Sequence, residues 1–278
     1  MNPEFFTVKD LFPARAALRL QNTPLDYEQK FSLIHPSGQT VTKHHAAGVV
    51  VLLLYKNSEY VFQLIKRSVH VTQSGDVSCP GGILEPSTDE MLSHILLHTG
   101  TIRTIDDRTL NDLPFYNEQT SNLIRLFLMN ALREAWEEIG LSPLNVRFLG
   151  ALPSYSLTYF TRTIFPVVCL TSTPFEYREN DEVEKILEVP LSLFFKNSSY
   201  ADLEIRSASG DEDPRYQVKF PCLVIPDGQN GEDILWGATF YILTRFLEMV
   251  SGESLPITPA LKTVTKTLST DYASGKHG

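Results

Sequence analysis

The most constraining stretch of the chain is Ala131-Leu132-Arg133-Glu134-Ala135-Trp136-Glu137-Glu138-Ile139-Gly140-Leu141. Leu132, Ala135, Trp136 and Ile139 recur at i, i+3, i+4 and i+7, the spacing that lines one face of an α-helix with apolar groups. Residues 122–139 read as one helix, and Gly140 suits the left-handed position that closes a helix. At ~100° per residue, Glu134, Glu137 and Glu138 then converge opposite the apolar stripe, with Arg133 beside them. Like charges so placed repel. Taken alone, the pattern fits a solvated acidic face with an ordinary Arg133–Glu137 pair. It also fits a site for a hard divalent cation, which takes oxygen ligands.

Such a helix needs a core to pack on, and 278 residues of which 42% are hydrophobic supply one. Residues 6–30 predict one or two short helices, and residues 46–55 and 60–65 predict a hairpin of central strands turning at 56–59. Residues 68–85 are rich in Gly, Pro and Ser around Pro80-Gly81-Gly82, the mark of a conformationally special loop. Residues 89–128 are polar and mixed, with no single period, and read as an insertion. Strands are expected at 146–152, 163–170, 185–189, 215–220 and 223–225, an acidic loop at 176–184, and a core-packing helix at 234–250 that includes Trp236. Interleaved strands and helices without repeats point to a single α/β or α+β domain.

Charge and cysteines narrow the function. A net charge of −9 argues against a surface built on phosphate-backbone attraction, so nucleic acid is not an expected partner. Cys79, Cys169 and Cys222 form no C-x-x-C pair, which disfavours a disulfide framework or thiolate zinc site and suits a reducing compartment. No apolar run approaches the ~18–20 residues that span a bilayer. The protein is therefore expected to be intracellular, soluble and cytoplasmic by default, and residues 274–278 do not form the peroxisomal tripeptide. The pair His44-His45 lacks the spacing of a metal site and is assigned no role.

The string Pro80-Gly81-Gly82 followed by residues 133–141 resembles the Nudix box, G-x5-E-x7-R-E-U-x-E-E-x-G-U, with Ala135 at the first bulky position. Here 50 residues separate Gly82 from Arg133 where that pattern leaves thirteen, an insertion of about 37 residues. The box's first glutamate falls at Thr88, with Asp89 and Glu90 following, and the three remain alternatives. Residues 63–68 and Gly75-Asp76-Val77-Ser78-Cys79-Pro80-Gly81-Gly82 resemble the upstream motif of the coenzyme A pyrophosphatase branch, with Thr72 near a usual arginine and Cys79 for phenylalanine. Segments 180–191 and 235–239 are similar to downstream segments of the same branch.

The resemblance implies a Nudix fold, a mixed β-sheet sandwiched between α-helices, in a domain spanning 44–250 with insertion 89–127. An N-terminal helical extension, 1–43, and a tail, 251–278, flank it. It implies hydrolysis of a diphosphate linkage with Mg²⁺ or Mn²⁺, in coenzyme A or its derivatives, giving 3′,5′-ADP and 4′-phosphopantetheine. The alternatives are another nucleoside diphosphate derivative, such as NADH, ADP-ribose or an oxidised nucleotide, or a weakly catalytic binding or regulatory module. The partner is a small nucleotide-derived substrate. Carried over by residue, Glu134, Glu137, Glu138 and Gly82 hold metal, Arg133 orients a glutamate, Glu137 and Glu182 serve catalysis, and Arg67 and Lys66 face phosphate. The insertion is read as a lid or as a surface excursion.

Overall fold

The computed structural model describes residues 8–34, 44–110, 116–157, 161–171, 178, 180–207, 219–227, 231–258, 260–268 and 272. In chain order the elements begin with α1 (Leu11–Gln21), α2 (Tyr27–Ile34), β1 (His45–Lys56), β2 (Glu59–Arg67), β3 (Val77–Ser78) and β4 (Gly81–Ile83). Next come α3 (Pro86–Thr99), β5 (Arg103–Thr104), α4 (Glu118–Ile139), β6 (Val146–Ala151), β7 (Tyr155–Leu157) and β8 (Arg162–Thr171). The chain continues through β9 (Val183–Pro190), β10 (Tyr200–Ser207), β11 (Lys219–Asp227), β12 (Gly231–Leu235), α5 (Gly237–Ser251) and β13 (Thr263–Leu268). This mixed α+β composition is the expected class. Two compact units divide it: Met1–Phe62 with Cys79–Arg178, and Gln63–Ser78 with Glu179–Gly278.

In the first unit β1 pairs in parallel with β8 over ten residues, from His45 opposite Arg162 to Leu54 opposite Thr171. β4 pairs antiparallel with β1, and β6 and β7 pair antiparallel with β8. β1 and β8 are buried nearly end to end, so both of their faces are covered, as Val/Leu-rich strands require. The β1–β2 turn places Asn57 and Ser58 at φ 51° and 66°, the left-handed pair that matches hairpin twist.

α4 starts at Glu118, a turn earlier than its pattern predicts, because the Asn117 side chain caps it by accepting the Thr120 N–H at 2.8 Å. Its end is as expected: Gly140 sits at φ 73°. Trp136 departs from the stripe. It is 40% exposed, with the Arg178 guanidinium 4.5 Å from its ring centre, while Leu132, Ala135 and Ile139 are buried.

The predicted insertion is not a loop. It forms α3, β5 and the first turns of α4. α3 escaped the periodicity reading because it exposes Met91 and Ile95 and buries Asp89 and Ser93, the inverse of an amphipathic pattern. β5 adds to β6 in parallel, Thr104 opposite Phe148, with Ile102 and Leu110 buried nearby in sequence.

In the second unit β10, β11, β12 and β13 make a sheet. Ile234 and Leu235 belong to β12, opposite Val224 and Leu223, not to the following helix, which begins at Gly237. β11 is one strand through the break expected between 220 and 223, and positions 215–218 lie outside the described residues. The segment read as a tail contributes β13, parallel to β10. Trp236 donates its Nε1–H to Asp76 at 3.0 Å, a structural role as expected. Among the described residues, no helix is long and apolar enough to cross a membrane.

Candidate active site

The first unit brings five of the predicted residues together on α4 and β4. Gly81 has φ +145°, and a Cβ there would stand 2.3 Å from the Gly48 carbonyl oxygen, so only glycine fits. Its N–H donates to Glu138 Oε2 at 2.9 Å. A Cβ on Gly82 would lie 2.4 Å from the Glu134 carboxyl carbon, so this glycine opens the space that the carboxylate occupies. Glu138 is only 4% exposed.

Arg133 stands at the centre. Its Nε and Nη2 meet Asp89 Oδ1 and Oδ2 at 2.9 and 3.3 Å, its Nη2 meets Glu134 Oε1 at 3.1 Å, and its Nη1 meets Glu137 Oε2 at 3.1 Å. Burial works against its charge, but the Asp89 hydrogen bond and the carboxylates around it win, and its pKa is raised. Burial also raises the pKa of Glu134, with Arg133 acting in the opposite direction. Asp89 settles which of the three candidates partners this arginine. It is fully buried, and its Oδ2 also accepts the Glu85 N–H at 2.8 Å, fastening the start of α3. The signal was there as one of three residues, but choosing among them needed the tertiary pairing.

The three glutamates project from one side of α4, as expected, but meet different surroundings. Glu138 turns to β4, Glu137 is largely exposed beside Arg133, and Glu134 lies between them against Gly82. Among the described residues no three His, Cys, Asp or Glu side chains converge as a ready metal cage. Oxygen donors beside a glycine strand nevertheless have the chemistry that a hard cation takes, and Arg133 pairs with two of the carboxylates. Cys79, next to this strand, is buried, and burial followed by the Glu138 charge pushes its thiol up to about 12, so it stays protonated.

In the second unit the main chain next to Arg67 meets that of Glu182, with no hydrogen bond or ion pair between their side chains among the described residues. Ser68 donates its N–H to the Glu182 carbonyl at 2.9 Å, and the Asn180 side chain accepts the Glu182 N–H at 2.9 Å. The Glu182 side chain is exposed. Arg67 Nε donates to the Thr72 carbonyl at 2.9 Å. Lys66 instead meets Glu184 at 2.9 Å and Asp233 at 3.2 Å, and these carboxylates raise its pKa against the effect of its burial. Its charge is already matched within the protein. Of the acidic loop, residues 176, 177 and 179 lie outside the described residues.

Asp89→Ala is expected to cost about 2–4 kcal/mol, below the ~3–5 kcal/mol of a fully broken buried pair because Glu134 and Glu137 still face Arg133. Glu90→Gln, on the exposed side of α3, should stay within ~0.5 kcal/mol. Thermal denaturation of both variants checks this, and an equal loss in the two would remove Asp89 from the arginine clamp.

No protein-family model matches the chain. It is 25% identical over 183 residues, 65% of its length and 76% of the relative's, to the uncharacterized Nudix hydrolase NudL of Escherichia coli (strain SMS-3-5 / SECEC). The same figures hold for NudL of Shigella boydii serotype 18. The solved Nudix hydrolase of Alicyclobacillus acidocaldarius superposes with TM-score 0.38 at 16% identity, over 54% of this chain and 81% of that one. That of Nitrosomonas europaea gives 0.36 at 10%, over 84% and 85%. The curated relatives support the Nudix hydrolase superfamily and, with it, an enzyme.

Proposed function

We propose that the protein hydrolyses the diphosphate linkage of a nucleotide-derived substrate, with Mg²⁺ or Mn²⁺ as cofactor and coenzyme A or its derivatives as substrate. The observation that carries the reading is the Gly81–Gly82 strand lying against Glu138 and Glu134, with Asp89 and Arg133 fastening the same helix.

A bound divalent cation supplies charge neutralisation on the diphosphate oxygens and acidifies water. Glu134, Glu138 and Glu137 are the carboxylates that hold it, with Gly82 leaving room beside Glu134. Arg133 restrains Glu134 and Glu137 before substrate arrives, so less reorganisation remains for the reaction. The Gly81 N–H occupies one oxygen of Glu138 and thereby fixes the direction of the other. Arg67 faces a substrate phosphate. Among the described residues no carboxylate pairs with it, whereas Lys66 is held by two and drops out of the assignment. Glu182 takes the proton from the attacking water.

The deciding experiment is a product-resolved hydrolysis panel with Mg²⁺ or Mn²⁺ against coenzyme A, acyl-CoA, NADH, ADP-ribose and oxidised nucleotides. Release of 3′,5′-ADP from coenzyme A supports the reading. Preference for another diphosphate moves the substrate, and no cleavage of any rejects the activity. Glu182→Gln is expected to lower kcat by ~10²–10⁴, the usual contribution of a general base, and to flatten the rise of activity with pH. Glu179→Gln should change little, and the reverse outcome would mean that the base is misplaced.

A further inference from the structure

Asn130 is wholly buried on α4, one turn before Glu134, and both ends of its amide are spent on main chain from two different strands. Its Oδ1 accepts the Gly48 N–H of β1 at 2.6 Å, and its Nδ2 donates to the Ile83 carbonyl of β4 at 3.1 Å. Gly48 lies this close to the helix because it has no side chain. A Cβ there would stand 2.6 Å from Asn130 Oδ1 and 2.7 Å from the Phe127 carbonyl oxygen.

The contacts are in register. β1 and β4 pair antiparallel, with Gly48 opposite Gly82 and Ala47 opposite Ile83. On α4 the residues 130, 134 and 138 recur every four positions and share a face. Their partners on β4 step back one residue at a time: Ile83 for Asn130, Gly82 for Glu134, Gly81 for Glu138. The two outer contacts are hydrogen bonds, and the middle one is a close approach of the Glu134 carboxyl to a glycine.

We infer that Asn130 is a positioning residue for the metal site: its amide clamps β1 and β4 to α4 at the spacing that sets Glu134 against Gly82. This rests on the reading under Proposed function. The clamp requires a group that accepts at one end and donates at the other. In Asn130→Asp the donor to the Ile83 carbonyl becomes a second acceptor facing it, and in Asn130→Ala the buried Gly48 N–H loses its acceptor while the Ile83 carbonyl keeps only the longer contact to Arg133 Nη2 at 3.5 Å.

The test is Mn²⁺ binding by the full-length protein without substrate, read by electron paramagnetic resonance, alongside hydrogen exchange of the Gly48 and Gly81 amides. Leu20→Ala, a buried residue of α1 outside the site, serves as the stability control. Asn130→Ala and Asn130→Asp should weaken Mn²⁺ binding ~10–100-fold, the range for residues that orient metal ligands, and speed exchange at both amides. Leu20→Ala should lower the melting temperature with Mn²⁺ affinity unchanged. Adding Glu134→Gln to Asn130→Ala should cost less affinity than it does in the wild type, because the two act through one contact. Should Asn130→Ala not fold, Asn130→Ser is measured in the same way. Wild-type Mn²⁺ affinity in a folded Asn130 variant overturns the inference. A wild-type protein that binds no Mn²⁺ overturns the functional reading first and this one with it.

Discussion

Glu138→Gln is expected to reduce hydrolysis about 100-fold or more while leaving the fold intact, since a metal site supplies several kcal/mol of transition-state stabilisation and each ~1.4 kcal/mol is tenfold in rate. Glutamine keeps the volume of this buried side chain, and its carbonyl oxygen can still accept the Gly81 N–H. What it loses is the charge. Glu134 and Glu138 are one turn apart, and relief of their repulsion offsets part of any cost to the helix. Steady-state hydrolysis at saturating Mg²⁺, with a thermal melt beside it, reads both halves. Wild-type turnover would remove Glu138 from the metal assignment.

Replacing residues 91–122 by a short Gly/Ser linker is expected to unfold the first unit. The sequence alone presents this segment as a lid or surface excursion, and closing a loop of that length costs little entropy. In the fold it carries β5, the buried Ile102 and Leu110, and the first turn of α4. Asn117 caps that helix and also donates to Glu28 of α2 at 2.8 Å. Burial of the two aliphatic side chains alone is worth ~3–6 kcal/mol, against a total stability of ~5–15 kcal/mol. Circular dichroism and a melting curve decide the matter, and a cooperative transition near the wild-type temperature would restore the accessory role.

Periodicity located the elements whose burial follows a simple rule. β1 and β8 are aliphatic because both faces are covered, and the C-terminal half of α4 is amphipathic because one side meets the sheet. Gly140 and the turn at Asn57 and Ser58 were legible because a left-handed backbone leaves few residue choices. The rule failed where burial and polarity part company. α3 hides an aspartate and shows a methionine, Trp136 lies outside the core under an arginine, and β13 lies where no chemistry marked the chain.

The same division runs through the candidate site. Local sequence determined that Arg133, Glu134, Glu137 and Glu138 share one helix, that Gly140 ends it, and that Pro80-Gly81-Gly82 is a conformationally special segment, because spacing along a helix and freedom of φ are properties of adjacent residues. That this segment, read as a loop, pairs as a strand was decided by the fold. Tertiary structure alone decided that Asp89 is the partner of Arg133, that Glu138 faces Gly81 while Glu137 faces solvent, that Asn130 ties two strands to the helix, and that Lys66 is already paired. Each of these joins atoms from segments far apart in the chain. A hydrogen bond or ion pair is set by distances of about 3 Å, which only the packed fold fixes.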